Sequence, residues 1–147
     1  MATIKKCTAI AVVSIVLLSS CTKEYIYPTE VVNVEIFSKD YVVKRWDKGD
    51  DDVSGMYWYC EFKEPKLTSY IYDNGTMQAF LLVNNDNMSP LPFNDYWIDG
   101  DDPNIMWTEQ ITCEFLPGVI TFIVKSSDHA NIPPHYKEYL FNVRFMW

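Results

Sequence analysis

The chain has no apolar run long enough to cross a bilayer. The uncharged run before Cys21, residues 7–20, has 14 residues, whereas a spanning helix needs about 20. It is also short of basic charge: 12 Lys and Arg stand against 20 Asp and Glu, a net charge of −8. That balance excludes the basic footprint that nucleic-acid binding requires. It also excludes a polybasic membrane patch and disfavours anionic partners. Catalytic signatures are missing too. There is no Gly-x-Ser-x-Gly elbow and no His-Glu-x-x-His, and only two histidines, His129 and His135, occur in the whole chain. No internal repeat and no sustained 3.6-residue apolar period is found.

What is present begins at the amino terminus. Lys5 and Lys6 precede the apolar run 9–18, and Leu18-Ser19-Ser20-Cys21 closes it. A charged start, a short apolar stretch and small residues at a cut site are the parts of an export signal. With cysteine at the cut, the segment resembles a bacterial lipobox, which implies lipidation of Cys21 and cleavage just before it. Two acyl chains already anchor a protein stably. Thr22 rather than Asp follows the cysteine, so the enterobacterial inner-membrane retention signal is absent. Lys23-Glu24 weakly resembles the export tag of surface lipoproteins in the Bacteroidetes. The expected location is the outer membrane, lipid-anchored, at the cell surface, with the periplasmic face as the alternative. The expected organisation is a signal peptide over 1–20, a lipidated cysteine and tether over 21–29, and one domain over 30–147.

Removal of residues 1–20 of the 147 leaves 127, enough for one real core. Loss of Lys5 and Lys6 takes the net charge from −8 to −10. Cys7 leaves with the signal and Cys21 takes the lipid. Cys60 and Cys113 remain, in an exported domain where a disulfide is allowed. Two cysteines cannot make a zinc-ribbon set.

The domain reads as strands and turns. Over 31–37, Val32, Val34 and Ile36 alternate with Asn33 and Glu35, the pattern of a half-buried strand. A second strand is expected over 41–46, followed by an acidic loop over 48–52. In 56–63, Trp58, Cys60 and Phe62 share one face while Tyr57, Tyr59 and Glu61 share the other. Asn74-Gly75 between two strand-like runs predicts a type I′ hairpin, with Tyr72 facing Met77, Tyr70 facing Ala79 and Thr68 facing Leu81. Residues 84–95 read as a polar, proline-bearing loop and 99–104 as an acidic one. Pro117-Gly118 predicts a turn that sets Phe115 opposite Ile120, Cys113 opposite Phe122 and Ile111 opposite Val124. After a loop over 126–135, residues 136–147 form a last strand with Tyr139, Phe141, Val143, Phe145 and Trp147 on one side. The expected fold is all-β: an immunoglobulin-like or related antiparallel β-sandwich of about seven to nine strands.

Several short pieces, in their order, carry a wider resemblance. They are Leu67-Thr68 through Asn74-Gly75, Pro90-Leu91-Pro92-Phe93, Pro117-Gly118, Ser126-Ser127-Asp128, and the ending Phe-Asn-Val-Arg-Phe-Met-Trp. Over roughly Val31 to Trp147 the chain resembles small lipoproteins of gut Bacteroidetes. That resemblance implies the location and a β fold, and transfers no catalytic residue.

Candidate chemistry is sparse. Ser127, Asp128 and His129 are adjacent, whereas a working triad converges from separate elements, so a solvated turn is the better reading. Asp99, Asp101 and Asp102 offer oxygens for calcium, but Pro103 and Asn104 break the EF-hand layout, and a charged loop is the usual meaning. Paired carboxylates for glycoside hydrolysis need a geometry that sequence does not show. The aromatics Tyr57, Tyr59, Trp97 and Trp107 are candidates for a ligand-facing surface, against the plain alternative that aromatics favour strands and pack against neighbours. Cys60 and Cys113 share the core phase of their strands, as a disulfide or as two buried thiols. No cofactor is expected. The expected partners are the membrane, through Cys21, and a surface glycan, peptide or protein held by a non-enzymatic binding or accessory module. A structural role in envelope or surface assembly is the alternative, and a small hydrolase stands behind both.

Overall fold

Alternation of apolar and polar side chains builds nearly all of this structure. The computed structural model describes residues 33–52, 55–83, 87–127, 134–136 and 138–147. The expected signal peptide, Cys21 and the tether lie outside the described residues, as do Asp128 and His129. The strands are β1 (Ile36–Val43), β2 (Asp47–Asp51), β3 (Gly55–Lys63), β4 (Thr76–Val83), β5 (Asn87–Pro90), β6 (Phe93–Ile98), β7 (Met106–Leu116), β8 (Val119–Ser126) and β9 (Tyr139–Met146). One short helix, α1 (Ser69–Asn74), joins β3 to β4. The strands form two antiparallel sheets, ordered β1-β9-β4-β5 and β2-β3-β8-β7-β6. The protein is an all-β sandwich.

The core is the sum of two inward faces. β9 contributes Tyr139, Phe141, Val143 and Phe145, and β8 contributes Ile120, Phe122 and Val124, all buried. Phe122 and Phe141 stack across the sandwich with ring centroids 4.0 Å apart. Full burial of one such ring is worth roughly 1.5–3 kcal/mol. The β7–β8 hairpin has the expected register: Phe115 opposite Ile120, Cys113 opposite Phe122, Ile111 opposite Val124. Gly118 supplies the left-handed turn conformation at φ 81°.

Elsewhere the structure departs from the sequence reading. Asn74-Gly75 is not a hairpin turn. Thr68 caps α1, its Oγ1 accepting from the Ile71 N–H at 3.3 Å, and the Gly75 N–H closes the helix on the Ile71 carbonyl. Gly75 has φ −94°, so it is chosen for space. A Cβ there would lie 2.7 Å from the Ile71 carbonyl oxygen and 2.9 Å from that of Met146. The inward face of β4 is as read, but its partner is β9: Met77, Ala79 and Leu81 sit opposite Phe145, Val143 and Phe141. A long apolar strand offers that face more to bury against than the short segment before Gly75.

The first strand is shifted in phase. Phe37, Tyr41 and Val43 turn toward the core while Val34 and Ile36 are exposed. The 48–52 segment pairs with β3 as edge strand β2 instead of looping out. The 84–95 segment contains β5 and the start of β6.

Cys60 and Cys113 are free thiols. Both stand opposite Phe122, one from β3 and one from β7, on either side of β8. Two strand spacings, about 10 Å, separate them, beyond the roughly 7 Å a disulfide can bridge. The intramolecular disulfide is therefore ruled out by sheet order. Burial raises both thiol pKa values, with Asp47 adding to the effect at Cys60 and Glu114 at Cys113.

One end of the sandwich is tied by a buried carboxylate. Glu64 accepts hydrogen bonds from Lys39 Nζ at 2.7 Å, Tyr41 Oη at 2.7 Å and the Lys66 N–H at 3.2 Å. Its backbone N–H donates to the Gly118 carbonyl, so a single residue links β1, the β3–α1 connection and the β7–β8 turn.

Candidate binding site

Glu109 lies at the opposite end of the sandwich, on the inward face of β7 in line with Trp107 and Ile111. It is buried, accepts from the His135 N–H at 3.2 Å and from Tyr139 Oη at 3.3 Å, and also takes a hydrogen bond from Trp107. Burial dominates and raises its pKa above the ordinary carboxylate value, although these donors and the nearby His135 work the other way. Tyr139 is pushed well above the usual phenol range, first by burial and then by the Glu109 charge.

Aromatic rings from four separated segments gather around this carboxylate. Trp97, from β6, stacks on the His135 ring with centroids 3.6 Å apart. Tyr136 meets Trp97 and Tyr139 edge-on, each at 5.3 Å, and its hydroxyl donates to Asp95 at 3.2 Å. Burial first, then the Asp95 charge, raises the Tyr136 pKa. Trp46, from the β1–β2 connection, meets Tyr139 edge-on at 5.3 Å. The indole N–H groups of Trp46 and Trp97 are buried and have no hydrogen-bond partner among the described residues. Such donors are rare in folded proteins.

A cavity of about 260 Å³ adjoins the cluster, lined by Leu81, Val83, Tyr136, Glu138 and Tyr139 among others. That is smaller than the roughly 300–1,000 Å³ of drug-sized pockets. It suits one sugar ring or one amino-acid side chain rather than an extended substrate.

The four aromatics singled out from sequence separate onto two faces. Trp97 and Trp107 are cross-strand partners and belong to the cluster. Tyr57 and Tyr59 lie on the outer face of the five-stranded sheet, their rings 5.9 Å apart. Tyr57 is folded onto Gly49, so closely that a Cβ there would come within 2.3 Å of its ring. Lys125 Nζ sits 5.7 Å from the same ring. Aromatic cover of an edge-strand glycine is a packing device, so Tyr57 and Tyr59 protect their own sheet.

The acidic loop between β6 and β7 folds on itself. Asp99 Oδ1 accepts from the N–H groups of Asp101 and Asp102, and Asp102 Oδ1 accepts from Asn104. Among the described residues no group of three His, Cys, Asp or Glu converges on a metal position, so Asp99, Asp101 and Asp102 do not form a calcium set. Ser127 Oγ accepts from the Thr108 N–H, which commits it to the end of β7.

Asp95 and Glu109 face each other across β6 and β7. Glu109 is enclosed by its three donors, and the cavity is lined by neither acid. A glycosidase needs both carboxyls beside the scissile bond.

Sequence reasoning missed Glu109, Asp95, Tyr136 and Tyr139 as members of one site. One signal was available. Glu109 occupies the core phase of its strand, between Trp107 and Ile111, where an acid needs buried partners. No known protein family, curated protein or solved structure matches this chain.

Proposed function

We propose that the protein is an outer-membrane lipoprotein, anchored through Cys21, whose β-sandwich is a non-enzymatic binding or accessory module. It belongs with the small lipoproteins of gut Bacteroidetes that its sequence resembles, and it holds a glycan, a peptide or a partner protein at the cell surface. The observation that supports this most is the cluster around Glu109. An exposed Tyr136 stands at the edge of both the aromatic cluster and a small cavity, and Glu109 and Asp95 are used to hold aromatic rings in place. Rigid aromatic faces with a few fixed polar groups are the usual composition of a sugar or side-chain site.

The test is a glycan array and a surface pull-down with the mature chain, repeated with Tyr136→Ala and with Tyr57→Ala. Loss of retained ligand by about tenfold, near 1.4 kcal/mol, is expected for Tyr136→Ala and not for Tyr57→Ala. Capture of nothing by the wild-type chain, or equal capture by both variants, removes the reading. Proteolysis of intact cells checks the location: a surface-facing domain is cleaved without breaking the outer membrane.

A further inference from the structure

We propose that the end of the sandwich where the chain enters the domain rests on the lipid headgroup layer. This rests on the reading of Cys21 as a lipid anchor. From Cys21 to the first described residue, Asn33, the chain has only residues 21–32, which reach at most about 40 Å when fully extended. Asn33 leads into β1 at the end that also holds α1, the β7–β8 turn and the end of β9. A short tether keeps that end at high effective concentration over the bilayer.

The chemistry of that end fits a lipid surface. Val34, Ile36, Tyr70, Tyr72, Leu116 and Met146 are all exposed there, Ile36 and Tyr70 by 66% and 67%. A groove between the start of β1 and α1 is lined by Phe37, Ile71 and Trp147 together with Glu35 and Lys66, and Lys66 Nζ lies 4.9 Å from the Phe37 ring. Tyrosine and tryptophan with lysine beside aliphatic side chains are the residues that sit at a membrane–water boundary.

Exposed apolar residues occur at the far end as well, among them Tyr96 and Met106. Charge separates the two ends: the near end sets Lys63 and Lys66 against Glu35 and Asp73, whereas the far end is acidic. The β2–β3 tip carries Asp50 and Asp52, and the β6–β7 tip carries Asp99, Asp101 and Asp102. Both tips lie at the far end, where a negatively charged membrane surface repels them. Docking on the near end points the acidic tips and the Trp97–Tyr136 cluster outward, away from the lipid.

The experiment is hydroxyl-radical footprinting of the full lipidated chain, in vesicles of phosphatidylcholine mixed with anionic phosphatidylglycerol and in detergent-free solution as the unlipidated Cys21→Ala chain. Tyrosine and methionine are reactive probes present at both ends. Oxidation of Tyr70, Tyr72 and Met146 is expected to fall about threefold on vesicles, the loss of water access that follows seating at the headgroup boundary. Tyr96 and Met106 are expected to keep their reactivity. A second variant, Ile36→Glu with Tyr70→Glu, alters only exposed positions and is expected to restore oxidation of Met146. Equal oxidation of both ends on vesicles, or protection confined to Tyr96 and Met106, overturns the docking. Mass analysis of the amino-terminal peptide separates the two claims. Acyl chains present with an unprotected near end refute the docking alone, and their absence refutes the anchor and the docking with it.

Discussion

Glu64→Ala is expected to destabilise the domain by about 3 kcal/mol. The carboxylate is 2% exposed, and its removal leaves the buried Tyr41 hydroxyl and the Lys66 N–H without an acceptor. A hydrogen bond to a charged group is worth roughly 1.5–3 kcal/mol. The Lys39 ion pair adds little, because the Lys39 side chain is 47% exposed and solvent screens it to about 0–1 kcal/mol. Glu64→Gln keeps the volume and one acceptor, so about 1–2 kcal/mol is expected. For a domain of this size each kcal/mol moves Tm by about 4 °C, so the alanine variant is expected to melt some 10–15 °C lower. The pH dependence gives a second handle. Burial works to raise the Glu64 pKa, but the bonds from Lys39, Tyr41 and the Lys66 N–H together hold it below the ordinary value of 4.5. The unfolded chain therefore takes up the proton first as pH falls. The stabilisation is complete above the unfolded pKa and is lost as pH drops through the folded one. Urea unfolding of wild type, Glu64→Ala and Glu64→Gln at pH 7 and across pH 5 to pH 2 measures both effects. An alanine variant as stable as wild type at pH 7, or an acid-side slope unchanged in Glu64→Gln, refutes the reasoning.

Glu109 should behave in the opposite sense. Burial raises its folded pKa above 4.5, so its contribution to stability declines as pH rises from the unfolded value through the folded one. Carbon-13 NMR of the Glu109 carboxyl is expected to give a midpoint above 4.5, and Glu109→Gln to remove the decline from urea-unfolding curves. Gly75→Ala is expected to cost about 2 kcal/mol, because the new Cβ meets two fixed carbonyl oxygens. Gly49→Ala meets only the tip of the Tyr57 ring, which can swing aside, so denaturant melts should show less than about 1 kcal/mol. Finally, both Cys60 and Cys113 should react with a thiol reagent in denaturant after aerobic purification, with Tm the same with and without reductant; one intramolecular disulfide detected by mass would contradict the sheet order.

Legibility followed the range of the interactions. The β7–β8 hairpin could be read residue by residue, since a two-residue turn and a period of two determine which side chains meet. β9 was equally clear from its alternating aromatics. The 68–77 region was not, because two local signals compete there. Asn74-Gly75 favours a hairpin, and Thr68 favours a helix start. The strand after Gly75 pairs with Phe145, Val143 and Phe141, residues sixty or more positions away, and that pairing settles the contest. The site at Glu109 was half legible. An acid on the core phase of a strand can be seen in the sequence, but its partners His135 and Tyr139 come from another part of the chain.

Local sequence suffices for the strand-rich class, the inward faces of β3, β7, β8 and β9, the acidic character, and the resemblance of the amino-terminal segment to a lipid-anchor signal. These depend on composition, on periodicity and on neighbours in the chain. That Cys60 and Cys113 flank one strand and cannot join follows from the sheet order alone. Long-range packing likewise sets Tyr57 and Tyr59 over their own sheet and brings Trp97 to His135 and Tyr136. The reason is the same in each case. Strand order and burial are set by which apolar faces find each other across the whole chain, and that global competition is not written in any short stretch of it.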